Sequence, residues 1–251
     1  MNSKSPLALV DLDDNLFQTA RKMTESLAHV ASRDVDGKPS GYMTAIQMHF
    51  INWLLRSADV VPVTARSTEA FSRVHIPFTC GAVCTNGGVI LGADGHVDIA
   101  WHDFMVSQLS PFAARLHDLS KTILSLGDKR GYSLRSWVVE EMDTSFYVVV
   151  KHNNLTDSTL IDVLADVEKL RLADDLTVHV NGNNLAFLPK VLSKKNAVLE
   201  LLRRDESQFG KRCILGFGDS LSDLGFMTQC HFWGTPNNSQ ITLKLMGDKD
   251  E

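Results

Sequence analysis

Three short apolar runs along the chain each end on a residue able to do chemistry. Leu7-Ala8-Leu9-Val10 runs into Asp11, Val60-Val61-Pro62-Val63 into Thr64, and Cys213-Ile214-Leu215-Gly216-Phe217-Gly218 into Asp219. Runs this short and this uniformly apolar predict strands buried on both faces, as in a parallel sheet. Between the first two, Met43, Ile46, Phe50 and Leu54 recur near helical spacing and predict a helix over residues 41–56. That alternation predicts an α/β core with crossover helices. In open sheets of this kind the ligand crevice lies outside the carboxyl ends of the strands, where Asp11, Thr64 and Asp219 are expected to converge.

The pattern changes between Asn86 and Pro189. Residues 89–91 and 96–99, around Gly92-Ala93-Asp94-Gly95, read as a hairpin. Helices are predicted over 110–126 and 156–172, strands over 134–140 and 145–152, and a closing strand pair over 177–180 and 185–188. Strands and helices without strict alternation indicate an α+β module inserted into the α/β core. The expected division is a Rossmann-like parallel-sheet core of residues 1–88 and 189–251, with an inserted domain of residues 89–188. A short helix over 197–203 would follow the segment Leu192-Ser193-Lys194-Lys195-Asn196. Trp137, Phe146 and Tyr147 are expected in the core of the insert, His152 and His179 at strand surfaces or other positions of the insert and not as ligands, and His102 and His117 on solvated faces.

The 251 residues are 44% hydrophobic and 22% charged, ordinary for a globular chain of one elaborated domain or two small ones. A formal net charge of -5 and the lack of any Lys/Arg block argue against nucleic-acid or membrane-surface partners. Small metabolites are the expected partners. The apolar run before Asp11 is too short for a signal-peptide core, and no run approaches a membrane span. Cys80, Cys84, Cys213 and Cys230 lack CxxC spacing and are expected to be buried thiols, not disulfides or zinc ligands. These features lead to the expectation of a cytoplasmic protein.

The acidic stretch Val-Asp-Leu-Asp-Asp-Asn-Leu-Phe, residues 10–17, invites two simple explanations. As a calcium loop it fails: Asp11, Asp13 and Asn15 fit the first, third and fifth positions, but Leu16 stands where Gly is needed and Lys22 where a bidentate Glu should close the shell. As a helix cap it accounts for one carboxylate, or two. If instead the strand ends converge, with a lysine joining from residues 192–196, the site holds carboxylates, a hydroxyl and an ammonium. Carboxylates without His or Cys make a hard oxygen shell suited to Mg²⁺, and a cation with a hydroxyl can hold phosphate oxygens.

At this point the chain resembles the haloacid dehalogenase superfamily of phosphohydrolases, through four motifs in order: Asp11-Leu12-Asp13; Thr64 in Val-Thr-Ala-Arg; Lys194; and Gly218-Asp219-Ser220-Leu221-Ser222-Asp223. The insert resembles a type II cap domain, and Cys-Thr-Asn-Gly-Gly-Val-Ile-Leu (residues 84–91) resembles the turn that opens it in the Cof-type, or type IIB, branch. The resemblance implies Asp11 as nucleophile and Asp13 as acid and base. It implies Mg²⁺ held by the Asp11 carboxylate, the Asp13 backbone carbonyl and Asp219, with Asp223 in support. Thr64 and Lys194 would bind phosphoryl oxygens, and Arg66 and Asn86 would face the cleft as substrate-binding candidates. Lys190 and Lys195 are equally basic neighbours of Lys194; spacing within the family pattern selects Lys194. The implied substrate is a small phosphorylated metabolite, a sugar phosphate in type IIB relatives. The chain departs from the family at Asp14 and Asn15, where Gly and Thr are usual, and at Ala65, Lys195 and Ser222. These changes bear on loop geometry, and no reacting group is lost.

Three other readings fit parts of the pattern. A phosphomutase would share the first chemical step, and a non-catalytic phosphate binder would share the fold but would not need Asp13. Phe217-Gly218-Asp219-Ser220 also matches the nucleophile block of GDSL esterases; Ser220 would then need a downstream His, and only His231 lies beyond it.

Overall fold

The computed structural model describes residues 5–154 and 157–247. The chain divides into two compact units, one made of the residues up to His102 and from Ser193 onward, the other of Asp103–Leu192. In chain order the elements are β1 (Leu7–Val10), β2 (Gln18–Thr19), β3 (His29–Arg33), β4 (Pro39–Met43), α1 (Ala45–Ser57), β5 (Asp59–Pro62), α2 (Thr68–Ser72), β6 (Ala82–Cys84), β7 (Val89–Leu91) and α3 (Ile99–Leu109). There follow α4 (Ala113–Lys129), β8 (Leu134–Glu141), β9 (Thr144–His152), α5 (Asp157–Lys169), β10 (Leu176–Val180) and β11 (Leu185–Pro189). The chain closes with α6 (Lys194–Phe209), β12 (Ile214–Phe217), α7 (Leu224–Met227), β13 (Phe232–Gly234) and α8 (Gln240–Met246).

The first unit is built on a parallel sheet of order β13-β12-β1-β5. Every residue of β1 is buried, as its uninterrupted apolar run requires for a central strand. Ala8 and Val10 pack with Leu12, Leu16 and Phe17 against Ile51 and Leu54 of α1. Phe50 of α1 meets Phe217 of β12 edge-on, ring centroids 5.1 Å apart, a favoured aromatic geometry. The sheet register sets Val10, Pro62 and Phe217 level with one another, so the residues that follow leave the sheet at one edge.

Several sequence expectations are adjusted here. The helix expected from residue 41 starts at Ala45, because Thr44 and Gln47 form a reciprocal capping box; residues 39–43 are instead β4, in a small sheet of order β2-β4-β3 that periodicity did not reveal. The expected hairpin of 89–91 with 96–99 forms only in short form: an antiparallel bridge joins Leu91 to Val97, Gly92 N–H donates to His96 O and Asp98 N–H to Ile90 O at 2.8 Å each, and the longer pairing of β7 is with β6. The reason is local. Asp98 accepts the backbone N–H of Trp101 at 2.8 Å and so starts α3, which the sequence reading missed. Pro111 then breaks the helical path, and α4 begins three residues later than expected.

The second unit is an antiparallel sheet, β10-β11-β9-β8, with α4 and α5 packed on it. Leu116, Leu119 and Ile123 of α4 and Leu160, Val163 and Val167 of α5 meet Val148, Val150, Leu185 and Phe187 of the sheet in one cluster. Phe146 and Tyr147 are buried, but Trp137 is 40% exposed, since β8 is an outer strand. His152, expected at a strand surface or elsewhere in the insert, ends β9 and is buried there, and the Asn183 side chain bonds both its N–H and its carbonyl at 2.8 Å. Cys84 is buried, whereas Cys213 is exposed just before β12, contrary to expectation; all four cysteines are free thiols. No helix among the described residues is long and apolar enough to cross a membrane.

Phe187 is fully buried in the second cluster. Phe187→Ala is expected to cost about 3–5 kcal/mol by denaturant unfolding, and a loss under about 1 kcal/mol would mean that this cluster is not the core of its unit.

Candidate active site

The register of the parallel sheet assembles the site. Asp11 follows β1 and donates its N–H to Phe217 O at 2.8 Å, while Val63 N–H donates to Val10 O at 2.8 Å. Asp11, Thr64 and the turn from Gly218 to Asp223 therefore leave the sheet side by side, at its carboxyl end.

Lys194 enters from the first turn of α6, whose start is capped by Ser193. Its ammonium lies 2.6 Å from Asp11 Oδ1 and 2.7 Å from Asp223 Oδ1, and all three side chains are buried. Neighbouring Lys190 and Lys195 are exposed. Asp223 uses its other oxygen to accept Ser220 Oγ at 2.7 Å, Ser220 N–H at 3.0 Å and Asp219 N–H at 3.3 Å. It thus fixes the turn that presents Asp219. Gly218 is required there, since a Cβ would stand 2.7 Å from that of Asp223.

Asp11, Asp219 and Asp223 each offer an oxygen, and these oxygens lie within 4.8 Å of one another. One ammonium does not neutralise three buried carboxylates. Burial raises the Asp11 carboxyl well above its ordinary range, Lys194 opposing and Asp223 and Asp219 adding to the shift. Burial, with Asp223 and Asp14 nearby, pushes Asp219 up to about 7. Burial works against charge on Lys194 as well, but the attraction of Asp11 and Asp223 prevails, and its pKa lies above the usual lysine range. A hard, all-oxygen donor set short of positive charge fits a divalent cation such as Mg²⁺.

Asp13 stands apart from this trio. Its carboxylate is half exposed and receives two bonds from Arg66, Nε to Oδ2 at 2.7 Å and Nη2 to Oδ1 at 2.8 Å. Arg66 in turn lies over the Phe17 ring, 4.9 Å from its centroid. Arg66 is therefore engaged with Asp13 in this state. Thr64 is buried; its Oγ1 accepts the Arg66 N–H at 3.1 Å, which leaves the hydroxyl proton to donate. Asn86 is buried too, and its N–H donates to Thr64 O at 3.1 Å.

No family model matches the sequence, and no curated protein does. Solved structures do match. A sucrose-phosphatase from Synechocystis, in complex with sucrose and phosphate, is similar over 98% of this chain and 88% of its own, at 16% identity and a TM-score of 0.55. The C-terminal domain of trehalose-6-phosphate phosphatase from C. albicans is similar over 90% of this chain and 74% of its own, at 13% identity and a TM-score of 0.58. A haloacid dehalogenase-like hydrolase from Bacteroides thetaiotaomicron is similar over 97% of this chain and 99% of its own, at 11% identity and a TM-score of 0.52. The chain has the haloacid dehalogenase-like fold.

Within that fold the unusual residues of the first loop have physical roles. Asp14 has φ +60°, a left-handed conformation natural to Gly and open to Asp at modest cost. Its carboxylate pairs with Lys22 at 2.6 Å, a contact that no sequence spacing announced. Asn15 donates Nδ2 to Asp11 O at 2.8 Å and so closes the loop on itself. The esterase reading fails on geometry. Ser220 Oγ is spent on Asp223, and His231 Nδ1 accepts the N–H of Ile214, at the far end of β12 from Ser220. A strand of this length spans roughly 13 Å at about 3.3 Å per residue.

Asp219 protonates at about 7 in the folded protein against 3.8 for the ordinary carboxyl, so the folded state binds more protons than the unfolded state between those values. Without a divalent cation, stability should fall as pH rises through that window. Mg²⁺ should therefore raise the melting temperature more at about pH 8 than at about pH 5.5. Equal shifts at both, or none, would count against a cation at these carboxylates.

Proposed function

We propose that the chain is a Mg²⁺-dependent phosphomonoester hydrolase that works through an aspartyl-phosphate on Asp11. The observation that carries this reading is the buried Lys194 ammonium shared by Asp11 and Asp223, beside Asp219, at the carboxyl ends of parallel strands. That arrangement offers a nucleophilic carboxylate, a fixed cation and a cation-binding carboxylate pair at one point, the parts phosphoryl transfer uses.

In the first step an Asp11 carboxylate oxygen forms a bond to phosphorus as the bond from phosphorus to the ester oxygen breaks, and Asp13, which enters this step protonated with one oxygen turned away from Arg66, gives its proton to that leaving oxygen. In the second, water attacks the phosphorus of the acyl phosphate, Asp13 takes its proton, and the Asp11 carboxylate is restored as inorganic phosphate departs. Thr64 Oγ1 and Lys194 Nζ bind the phosphoryl oxygens and stabilise the charge that moves onto them. Arg66 holds Asp13 in one orientation through its two bonds and, with Asn86, borders the place where substrate enters. Mg²⁺, when bound by Asp11 and Asp219 with the Asp13 carbonyl and with Asp223 in support, offsets repulsion between the anionic nucleophile and an anionic substrate.

For the substrate we propose a sugar phosphate. In support, one structural neighbour is a sucrose-phosphatase solved with sucrose and phosphate, and another is a trehalose-6-phosphate phosphatase. We assign the Asp103–Leu192 unit the role of a cap that selects the leaving group.

The test is phosphate release from a panel of sugar phosphates and a chromogenic aryl phosphate, with Mg²⁺ and with chelator. Release should require Mg²⁺, and Asp11→Asn should lower it by at least about a thousandfold with the fold intact. Release that survives in Asp11→Asn would remove the nucleophile. Ser220→Ala should cost about 1 kcal/mol through the lost bond to Asp223 and leave most phosphate release in place; loss of a carboxyl-ester activity in that variant would restore the esterase reading.

A further inference from the structure

We infer that the turn Thr85-Asn86-Gly87 is a positioning element that sets the spacing between Thr64 and Lys194. The inference rests on the reading of those two groups as phosphate contacts.

β6 runs into three successive residues with positive φ: Thr85 at +53°, Asn86 at +54° and Gly87 at +94°. The left-handed region is natural to Gly and open to Asn, but it is a genuine outlier for a β-branched residue such as Thr. Backbone strain of this kind persists only where the surroundings over-determine it, and it gathers at functional sites. All three residues are buried, and each side of the turn is held.

On one side the turn's own amides carry the Thr64 loop. Thr85 N–H donates to Arg66 O at 2.7 Å and Asn86 N–H to Thr64 O at 3.1 Å. On the other side Gly87 lies against the backbone that leads into α6. A Cβ at Gly87 would stand 2.3 Å from Ser193 O and 3.1 Å from Lys194 N, so no side chain fits without moving the lysine's own backbone. The turn is fastened from behind as well. Trp101 Nε1 donates to Gly87 O at 3.0 Å, and Asp98, which caps the start of α3, also pairs with Arg204 of α6. Thr64 and Lys194, remote in sequence, thus rest against opposite sides of one strained turn. In the sequence this stretch resembles the turn that opens the insert, with Asn86 as a substrate-binding candidate.

Gly87→Ala moves the Ser193–Lys194 backbone and leaves every proposed phosphate and cation contact chemically present. The probe is inorganic phosphate in the presence of Mg²⁺, with binding followed by calorimetry. Wild type should bind it, and Gly87→Ala should weaken binding on the order of tenfold or more, the scale of one misplaced charged hydrogen bond. The Mg²⁺-induced rise in melting temperature, which depends on carboxylates at the ends of β1 and β12, should persist. Trp101→Phe keeps the ring but loses the bond to Gly87 O; it should shift phosphate affinity in the same direction by less, and it decides the matter if Gly87→Ala does not fold. Unchanged phosphate affinity in the folded variants overturns the inference, as does a parallel loss of phosphate and Mg²⁺ binding that tracks a lower melting temperature. Wild type that binds Mg²⁺ but no phosphate overturns the hydrolase reading itself, and the inference with it.

Discussion

The first unit turns on one ammonium group. Lys194 Nζ is shared by Asp11 and Asp223, and through those two contacts α6, β1 and the turn before α7 meet at a single buried charge. Such an arrangement is not made for stability. Taking charges out of water is costly, and a buried ion pair often holds a fold no better than apolar side chains of the same volume would. Removing one partner, by contrast, leaves an uncompensated charge and costs about 3–5 kcal/mol. Here the mismatch is present from the start, with three buried carboxylates around one ammonium, and Asp219 answers by holding its proton up to about 7. The central apolar strand, the level register of its neighbours and the capped start of α6 together keep in place a cluster that electrostatics alone would push apart.

Backbone conformations that sit at modest or high cost surround this charge. Asp14, Thr85, Asn86 and Gly87 all have positive φ, and of these Thr85 is the least natural occupant. A residue held in such a region costs on the order of 1–3 kcal/mol. The offset is visible in hydrogen bonds: Asn15 onto Asp11 O closes the first loop, and Thr85 and Asn86 give their amides to the carbonyls beside Thr64. Strain and compensation thus lie together, Asp14 three residues after Asp11 and Thr85-Asn86 bonded directly to the segment of Thr64.

What could be read from sequence was whatever depends on short range or on strong pattern. β1, β5 and β12 were legible because a strand buried on both faces leaves an unbroken apolar run, and the residue that ends each run was legible because a polar group there has few other reasons to exist. β2 to β4 were not, because their exposed and half-buried positions carry no clear period. α3 was missed because its apolar residues continue what looked like a hairpin; only the Asp98 cap separates the two. Within the site, Asp11, Thr64, Lys194, Asp219 and Asp223 were each named from motif order, but the pairing of Arg66 with Asp13 and of Lys22 with Asp14 was not. Those contacts join residues whose spacing follows from loop geometry, which no periodicity encodes.

The balance of charge at the site bears on the order of events. Asp11, Asp13, Asp14, Asp219 and Asp223 face Lys194, Arg66 and Lys22, and each of these cations is already committed to a carboxylate. With every group ionised the set is two positive charges short, which one divalent cation supplies. A phosphate ester that approached before the cation would meet net negative charge in a low-dielectric site, where like charges repel far more strongly than in water. With a cation held by these carboxylates, Lys194 would no longer be the sole counter-charge of Asp11 and Asp223, and its ammonium could turn part of its attraction toward phosphoryl oxygens. On the hydrolase reading, then, a cation held by Asp11 and Asp219 would supply more than relief of repulsion between nucleophile and substrate: the lysine would be free to pass from its structural task to its chemical one.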